Sequence, residues 1–339
     1  MYRVLVIDRM ESPHLEGLTI EHDVLGKEAI LELCRVPDET KIDGRLEHAD
    51  LVISCHAIGL GAHSFRRMRN CRGVVRAAVG YDNIDIAAAR REGISVANVP
   101  DYGTEEVADH ALCLLLHIHR KVTLADRACR AGRWDWQAVG EVKRLRGLRF
   151  GIVGFGRIGM ATAARARAFG MHVVFFDPFV SDGIDKSLAV ERVENLQELL
   201  RSCAVVSLHV PSTPQTRAMI GRRELEAMPN DAILINTARG DVIDQPALIA
   251  HLQAHPEFRA GLDVVAGEPS VPAELRDCSQ VVLTGHSAFY CDESLTEMRR
   301  KAAETAGRLY RGEPVRTIVN LAAATTREAP SPVRLVAGE

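Results

Sequence analysis

The chain has no uninterrupted apolar stretch of the ~20 residues that a membrane-spanning helix requires, no excess of either charge, and no closely spaced cysteine pair. The first absence speaks against a membrane-embedded protein. The second, a formal charge of −3 over 339 residues, removes the electrostatic case for binding nucleic acid or an anionic membrane surface. The third concerns eight cysteines: Cys34, Cys55, Cys71, Cys113, Cys129, Cys203, Cys278 and Cys291. None forms a CxxC pair and several lie inside apolar runs. They read as reduced, small core residues, not as a disulfide or zinc framework, and no metal site is expected. The opening "MYRVLVIDRM" is a strand pattern carrying charges. It lacks the basic region, apolar core and cleavage site of a signal peptide. These absences predict a cytoplasmic protein. There is no internal repeat and no GxSxG elbow, which argues against a serine hydrolase.

What is present is the composition of an ordinary globular protein, with 47% hydrophobic and 26% charged residues. The length suits two domains. Short apolar runs recur between helical stretches: 2–7, 51–55, 73–79 and 94–98 in the first part, then 149–154, 172–176, 204–210, 232–236, 260–265 and 280–284. Continuous runs of this length predict parallel strands covered on both faces. Alternation with helices predicts an α/β fold with two doubly wound parallel sheets. A long helix is expected over 105–131, with its middle, Ala111 to Leu116, apolar nearly all round and therefore buried. His117 and His119 on it read as structural. A second is expected over 292–310 with Asp292 as N-cap. The segment 321–339 is poor in large apolar residues and is expected to be a flexible tail.

The most informative motif is "FGIVGFGRIGMATAARARAFG" (150–170), in which Gly154, Gly156 and Gly159 form GxGxxG between a strand and a helix. Gly154 permits the tight turn, Gly156 admits a pyrophosphate to the backbone, and Gly159 lets the helix pack close to the strand. The helix N-terminus favours the negative charge. Asp177 ends the next strand, 18 residues past Gly159. A carboxylate there accepts from the adenosine ribose hydroxyls and repels a 2′-phosphate, and no Arg or Lys follows within five residues. NAD is the expected cofactor, in preference to NADP.

Ligands of such sheets bind beyond the carboxyl ends of the strands. Three polar residues follow three strands: Arg239 after "AILIN", Glu268 after "AGLDVV" and His286 after "QVVLT". Each alone has a plain structural explanation as a surface or turn residue. Together on one rim they suit reduction of a 2-keto acid. Arg presents a charged fork to a carboxylate or carbonyl oxygen. His exchanges a proton near neutral pH, and a neighbouring carboxylate orients its ring and favours its charged form.

At these residues the chain resembles the NAD-dependent D-2-hydroxyacid dehydrogenases, and looks most similar to their C-terminal-binding-protein branch. The blocks carrying the resemblance are "RAAVGYDNIDIAAARREGISVANVP" (76–100), "LRGLRFGIVGFGRIG" (145–159), "FFDPFVSDGI" (175–184), "INTARGDVID" (235–244), "GLDVVAGEP" (261–269) and "TGHSAFY" (284–290). The resemblance implies Arg239, Glu268 and His286 as the catalytic set. It implies cofactor contacts from Gly154, Gly156, Arg157, Ile158, Gly159, Asp177, His209, Val210, Pro211, Thr216, Thr237, Ala238, Arg239, Asp263 and His286. The substrate would be met by Val79, Gly80, Arg239 and His286, with backbone N–H groups of the Val79–Gly80 loop on its carboxylate. The implied fold is a Rossmann NAD-binding domain (102–289) inserted in a flavodoxin-like substrate domain (1–101 plus 290–320), working as a homodimer on a small 2-hydroxy or 2-keto acid. An NAD(H)-responsive corepressor-like binding protein is the alternative.

Three positions depart from the family pattern. Gly285 stands where a proline usually precedes the histidine, which predicts a less rigid loop. Phe289 replaces the tryptophan typical of the branch. The loop "SCHAIGL" (54–60) lacks the usual threonine, and its His56 either touches substrate or faces solvent. Glu268 argues against formate dehydrogenase activity, where a glutamine stands in its place. Phosphite dehydrogenases keep all three catalytic residues and stay open.

Overall fold

The computed structural model describes residues 1–10, 15–56 and 58–320; the tail expected over 321–339 lies outside the described residues. The chain divides into two compact units, Met1–Pro100 with the part from Thr296 onward, and Asp101–Leu295.

In the first unit, β1 (Tyr2–Arg9), β2 (Ala29–Val36), β3 (Leu51–Ser54), β4 (Gly73–Arg76) and β5 (Ser95–Asn98) form one parallel sheet in the order 2-1-3-4-5. This is the flavodoxin-like order. Inward residues Leu5, Ile7, Val52, Val74 and Val96 pack with Leu46, Phe65 and Ile84. The sequence reading did not include β2. Its run "AILELCRV" is interrupted by Glu32 and Arg35, because β2 is an edge strand hydrogen-bonded to β1 alone. Edges tolerate and even favour charge, and Glu32 pairs with Arg3 of β1 at 3.1 Å.

In the second unit, β6 (Arg149–Val153), β7 (His172–Phe176), β8 (Glu191–Arg192), β9 (Val205–Leu208), β10 (Ile233–Asn236), β11 (Arg259–Leu262) and β12 (Val281–Leu283) form a second parallel sheet. Its order is 12-11-10-9-6-7-8. Chain order reverses between β6 and β9, the switch point of a Rossmann sheet. Successive side chains enter opposite cores, as the two-residue period demands. Val153, Val206 and Leu234 join a cluster with Leu199, Leu225 and Leu248. Phe150, Ile152, Val205, Ile233 and Ile235 join one with Leu112, Leu114 and Leu115. Burying each such side chain contributes ~1.5–3 kcal/mol.

The helix expected over 105–131 is two helices, Thr104–His119 and Val122–Arg130. Lys121 between them adopts φ +54°, a left-handed conformation that ends one helix and redirects the chain. Ala111, Leu112, Leu114 and Leu115 are buried while Cys113 is exposed. The first helix is thus apolar on one face, laid on the sheet, and not all round. His119 Nε2 donates to the Lys143 carbonyl at 2.7 Å, and His117 Nε2 lies 2.5 Å from Thr123 Oγ1. The last long helix is Asp292–Arg311. Asp292 is its first residue, one position inside the expected cap. Cys291 precedes it, its sulfur accepting from the Ser294 N–H while the Ser294 hydroxyl accepts from the Cys291 N–H. This is a capping box with sulfur as the first acceptor. No described helix is long and apolar enough to cross a membrane.

His251, on the helix Gln245–Ala254, is buried and stacks on His255 at 4.1 Å and edge-on to Phe258 at 4.6 Å. Burial, aided by the charge of His255, brings its pKa from the ordinary 6.5 down to about 4. The unfolded chain therefore binds a proton below pH 6.5 that the folded chain refuses, so stability falls as pH drops from 6.5 towards 4. The loss is up to about 1.4 kcal/mol per pH unit for this group. His251→Gln is expected to destabilise at pH 7 and to lose that disadvantage steadily as pH falls to 4. Urea unfolding at several pH values checks this, and a constant gap between variant and parent would contradict it.

Candidate active site

Parallel strands deliver their following loops to one edge, and backbone hydrogen bonds join those loops in the second unit. Gly154 N–H donates to Phe176 C=O (3.0 Å), His209 to Val153 (2.8 Å), Asp263 to Asn236 (2.9 Å) and Thr284 to Leu262 (3.2 Å). The sequence-predicted cofactor and catalytic residues all lie on this edge.

The glycine turn leaves β6 with Gly154 at φ +90°. A Cβ at Gly154 would come within 2.6 Å of the His209 carbonyl oxygen, and one at Gly159 would land on the Gly154 carbonyl. These two glycines serve the fold itself. Gly156 is different: nothing lies within 4 Å of where its Cβ would be, and its backbone is extended. The protein has no internal reason for a glycine there; the open space suits a pyrophosphate approaching the N-terminus of the helix Arg157–Ala168. Asp177 closes the other side. Its Oδ2 accepts from Phe155 N–H (2.8 Å) and its Oδ1 from Phe179 N–H (2.9 Å). Each oxygen keeps a lone pair for a ribose hydroxyl. Gly154–Gly159 and Asp177 therefore fit a dinucleotide.

Not every residue named from the sequence offers its side chain. His209 Nε2 bonds Ser207 Oγ at 2.9 Å, its Nδ1 is enclosed, and burial takes its pKa down to about 4. The Thr237 hydroxyl is likewise enclosed. Thr216 Oγ1 accepts from Thr213 N–H (2.8 Å) and donates to Pro211 C=O (2.6 Å), shaping the 211–216 loop.

The turn after β10 is built on Asn236, which is fully buried. Its amide donates to Arg239 C=O (2.8 Å) and accepts from Ala238 N–H (3.0 Å). A Cβ on Gly240 would overlap the Val265 backbone, so the loops after β10 and β11 touch. Val265 N–H in turn donates to Glu268 Oε1 at 3.0 Å. Glu268 Oε2 meets His286 Nδ1 at 2.7 Å. Burial opposes the charged carboxyl of Glu268, but the His286 hydrogen bond and charge, the Val265 N–H and the Arg239 guanidinium together hold its pKa below the ordinary value. Phe289 stands edge-on to His286 (6.1 Å) and to Tyr102 (6.3 Å).

His286 itself has φ +59° and follows Gly285 at φ +63°. Proline is locked near −65°, so this loop geometry excludes the proline of the family pattern. Asp263, 3% exposed, holds the loop: its carboxylate accepts from Thr284 Oγ1 (2.6 Å) and from the N–H groups of Ser287 (2.9 Å) and Ala288 (3.1 Å). Sequence reasoning missed Asn236 and Thr284, since a polar residue at a strand end carries no sign of what it will bond.

In the first unit, the Val79 and Gly80 N–H groups follow β4, and Asn98 Nδ2 donates to Val79 C=O at 2.7 Å. His56 Nδ1 lies 2.7 Å from Asp8 Oδ1, and Asp8 is fully buried. That pair decides against a purely solvent-facing His56.

A sheet of this order with an open glycine turn at its switch point belongs to the dinucleotide-binding oxidoreductases. Comparison with known proteins narrows the class. Residues 112–288 match the family described as D-isomer specific 2-hydroxyacid dehydrogenase, NAD binding domain. A glyoxylate reductase of Korarchaeum cryptofilum is 39% identical over 288 residues, 84% of this chain and 86% of that protein. A D-3-phosphoglycerate dehydrogenase of Methanocaldococcus jannaschii is 31% identical over 326 residues, 95% of this chain but only 60% of that longer protein. Among solved structures, D-lactate dehydrogenase from Aquifex aeolicus, complexed with NAD and lactic acid, superposes with a TM-score of 0.82 at 27% identity, covering 91% of this chain and 96% of its own. The chain belongs to the D-isomer specific 2-hydroxyacid dehydrogenase family, and its cofactor is NAD.

The open space at Gly156 separates folding from binding. Gly156→Ala is expected to leave the thermal midpoint within about 2 °C of the parent, because no protein atom is met and no left-handed φ is required. NADH affinity should fall about tenfold or more, a loss of at least ~1.4 kcal/mol. Calorimetric unfolding and fluorescence titration with NADH read the two effects; unchanged NADH affinity would remove the turn from the binding site.

Proposed function

We propose that the protein interconverts a small D-2-hydroxyacid and its 2-keto acid, with His286 as the general acid and base, Glu268 orienting its ring and Arg239 binding the substrate carboxylate or carbonyl. The observation that carries this reading is the 2.7 Å Glu268–His286 pair, on the edge that also bears Arg239. With Glu268 on Nδ1, the Nε2 of His286 is the nitrogen that hands a proton to a carbonyl oxygen or takes one from a hydroxyl. The ionised Glu268 stabilises the imidazolium, which readies the site for reduction. The guanidinium offers two parallel donors to a carboxylate and fixes the acid's orientation. Bound NADH supplies the hydride for the carbonyl carbon. Asp177 favours NAD over NADP by repelling a 2′-phosphate. The name of the 39% identical relative supports a small keto acid such as glyoxylate.

Within the family we place the chain nearest the C-terminal-binding-protein branch, on the sequence blocks quoted above. The intact catalytic set favours the enzyme over a corepressor-like role. Eight unpaired cysteines support a reducing, cytoplasmic location. We also propose a homodimer. Both tryptophans of the chain, Trp134 and Trp136, are 92% and 82% exposed, beside the half-exposed Val122 and Leu124. Such a cluster on 122–136 is suited to a second copy.

Against a panel of 2-keto acids with NADH, and of phosphite with NAD, the parent should turn over at least one small keto acid. His286→Ala should then lower kcat on the order of 10²–10⁴-fold with NADH binding retained. Turnover of phosphite alone, or an undiminished His286→Ala enzyme, would refute the assignment. For assembly, light scattering should give a dimer mass for the parent and a monomer for the Trp134→Glu/Trp136→Glu double variant; a monomeric parent defeats the dimer.

A further inference from the structure

The hydrogen bonds that hold the His286 loop do not end at Asp263. They continue through Thr284 to a histidine on a different element, His110 of the helix Thr104–His119, whose Nε2 lies 2.9 Å from Thr284 Oγ1 and 3.6 Å from Asp263 Oδ1.

The direction of this chain follows from the chemistry of its members. A carboxylate only accepts, and a threonine hydroxyl has a single proton. At 2.6 Å from Asp263 Oδ1, that proton belongs to the Thr284–Asp263 bond. What Thr284 offers to His110 is a lone pair, so His110 carries a proton on Nε2 and donates. The sequence His110 N–H to Thr284 O–H to Asp263 carboxylate is therefore polarised one way, and each bond strengthens the next.

Asp263 needs this support. A carboxylate at 3% exposure is costly unless several donors face it. It in turn fixes three consecutive residues: His286 N–H donates to its carbonyl at 2.6 Å, and Ser287 and Ala288 N–H to its carboxylate. His286 stands at φ +59°, a left-handed conformation that is unfavourable for a non-glycine residue and persists only where its surroundings over-determine it. The far end of the network is well anchored. The buried face of the His110 helix packs on the sheet, and a Cβ on Gly261 would stand only 3.1 Å from Leu114 Cβ, so helix and β11 are in close contact two residues before Asp263.

We infer that His110 is a positioning residue for the reaction: by donating through Thr284 to Asp263, it holds the turn that sets the His286 imidazole against Glu268. This rests on the reading of His286 as acid and base. It assigns His110 no contact with substrate or cofactor. A purely structural bond would stabilise the helix and leave turnover alone; the positioning role predicts that the donor, not the ring, is what matters.

The test uses the full chain with NADH and the best keto acid of the panel. His110→Phe keeps the ring shape and removes the donor; His110→Gln keeps an N–H at a similar reach; Thr284→Val cuts the relay. His110→Phe and Thr284→Val should each lower kcat about tenfold or more, with the NADH dissociation constant within about twofold of the parent. His110→Gln should recover most of the rate. The double variant His110→Phe/Thr284→Val should be no worse than about the poorer single one, since both break the same chain. Amide hydrogen exchange over 284–290 gives a readout independent of turnover: it should quicken in His110→Phe and Thr284→Val but not in His110→Gln. Parental kcat and exchange in His110→Phe overturn the inference, as do multiplied losses in the double variant. Should His110→Phe not fold, Thr284→Val against the parent decides by the same two measurements. If the parent reduces no keto acid, the functional reading falls, while the exchange data still decide whether His110 holds the loop.

Discussion

In the second unit every strand runs the same way, and each therefore hands the loop that follows it to a single edge of the sheet. The rest of the site depends on that constraint. Arg239, Glu268 and His286 are separated by 29 and 18 residues in the chain, yet each is the product of the same geometric rule applied to three neighbouring strands, β10, β11 and β12. Hydrogen bonds from one strand's loop to the end of the next set the spacing between them more finely than the sheet alone can.

Buried polar side chains do the remaining shaping. Asn236 is enclosed at the end of β10 and fastens the turn bearing Arg239. Asp263 is enclosed after β11; its carboxylate accepts from the Ser287 and Ala288 N–H groups and its backbone carbonyl from that of His286. Asp177, less buried, closes the glycine turn through Phe155 while keeping lone pairs outward. In each case a polar group that would be unfavourable in the interior is matched by backbone donors that would otherwise be unmatched themselves. The more exposed partners, Glu268 and His286, with side chains 34% and 41% exposed, keep contact with solvent.

The sheets were legible in the sequence wherever strands are buried on both faces. The run 172–176 agrees with β7 residue for residue, and the other central strands differ from their runs by a few residues at the ends. β2 and β8 were not legible, although β5 and β12, which also lie at sheet edges, were: the run of β2 is interrupted by Glu32 and Arg35, and β8 consists only of the charged pair Glu191–Arg192. The break at Lys121, where the backbone turns left-handed at φ +54°, was also hidden, because no glycine or proline marks it in the sequence.

The amino-acid order by itself determined the α/β class and the glycine turn, since each is written in local pattern: runs of buried residues and glycine spacing; it also singled out Arg239, Glu268 and His286 as polar residues following three strands. Tertiary structure alone decided which polar groups meet. That His286 pairs with Glu268, that the Asp263 carboxylate bonds the loop after β12, that the His209 Nδ1 and the Thr237 hydroxyl are enclosed, and that His110 reaches Thr284 from 174 residues away are outcomes of packing. Nothing in a local stretch of chain encodes a contact whose two halves are brought together only when the sheet closes.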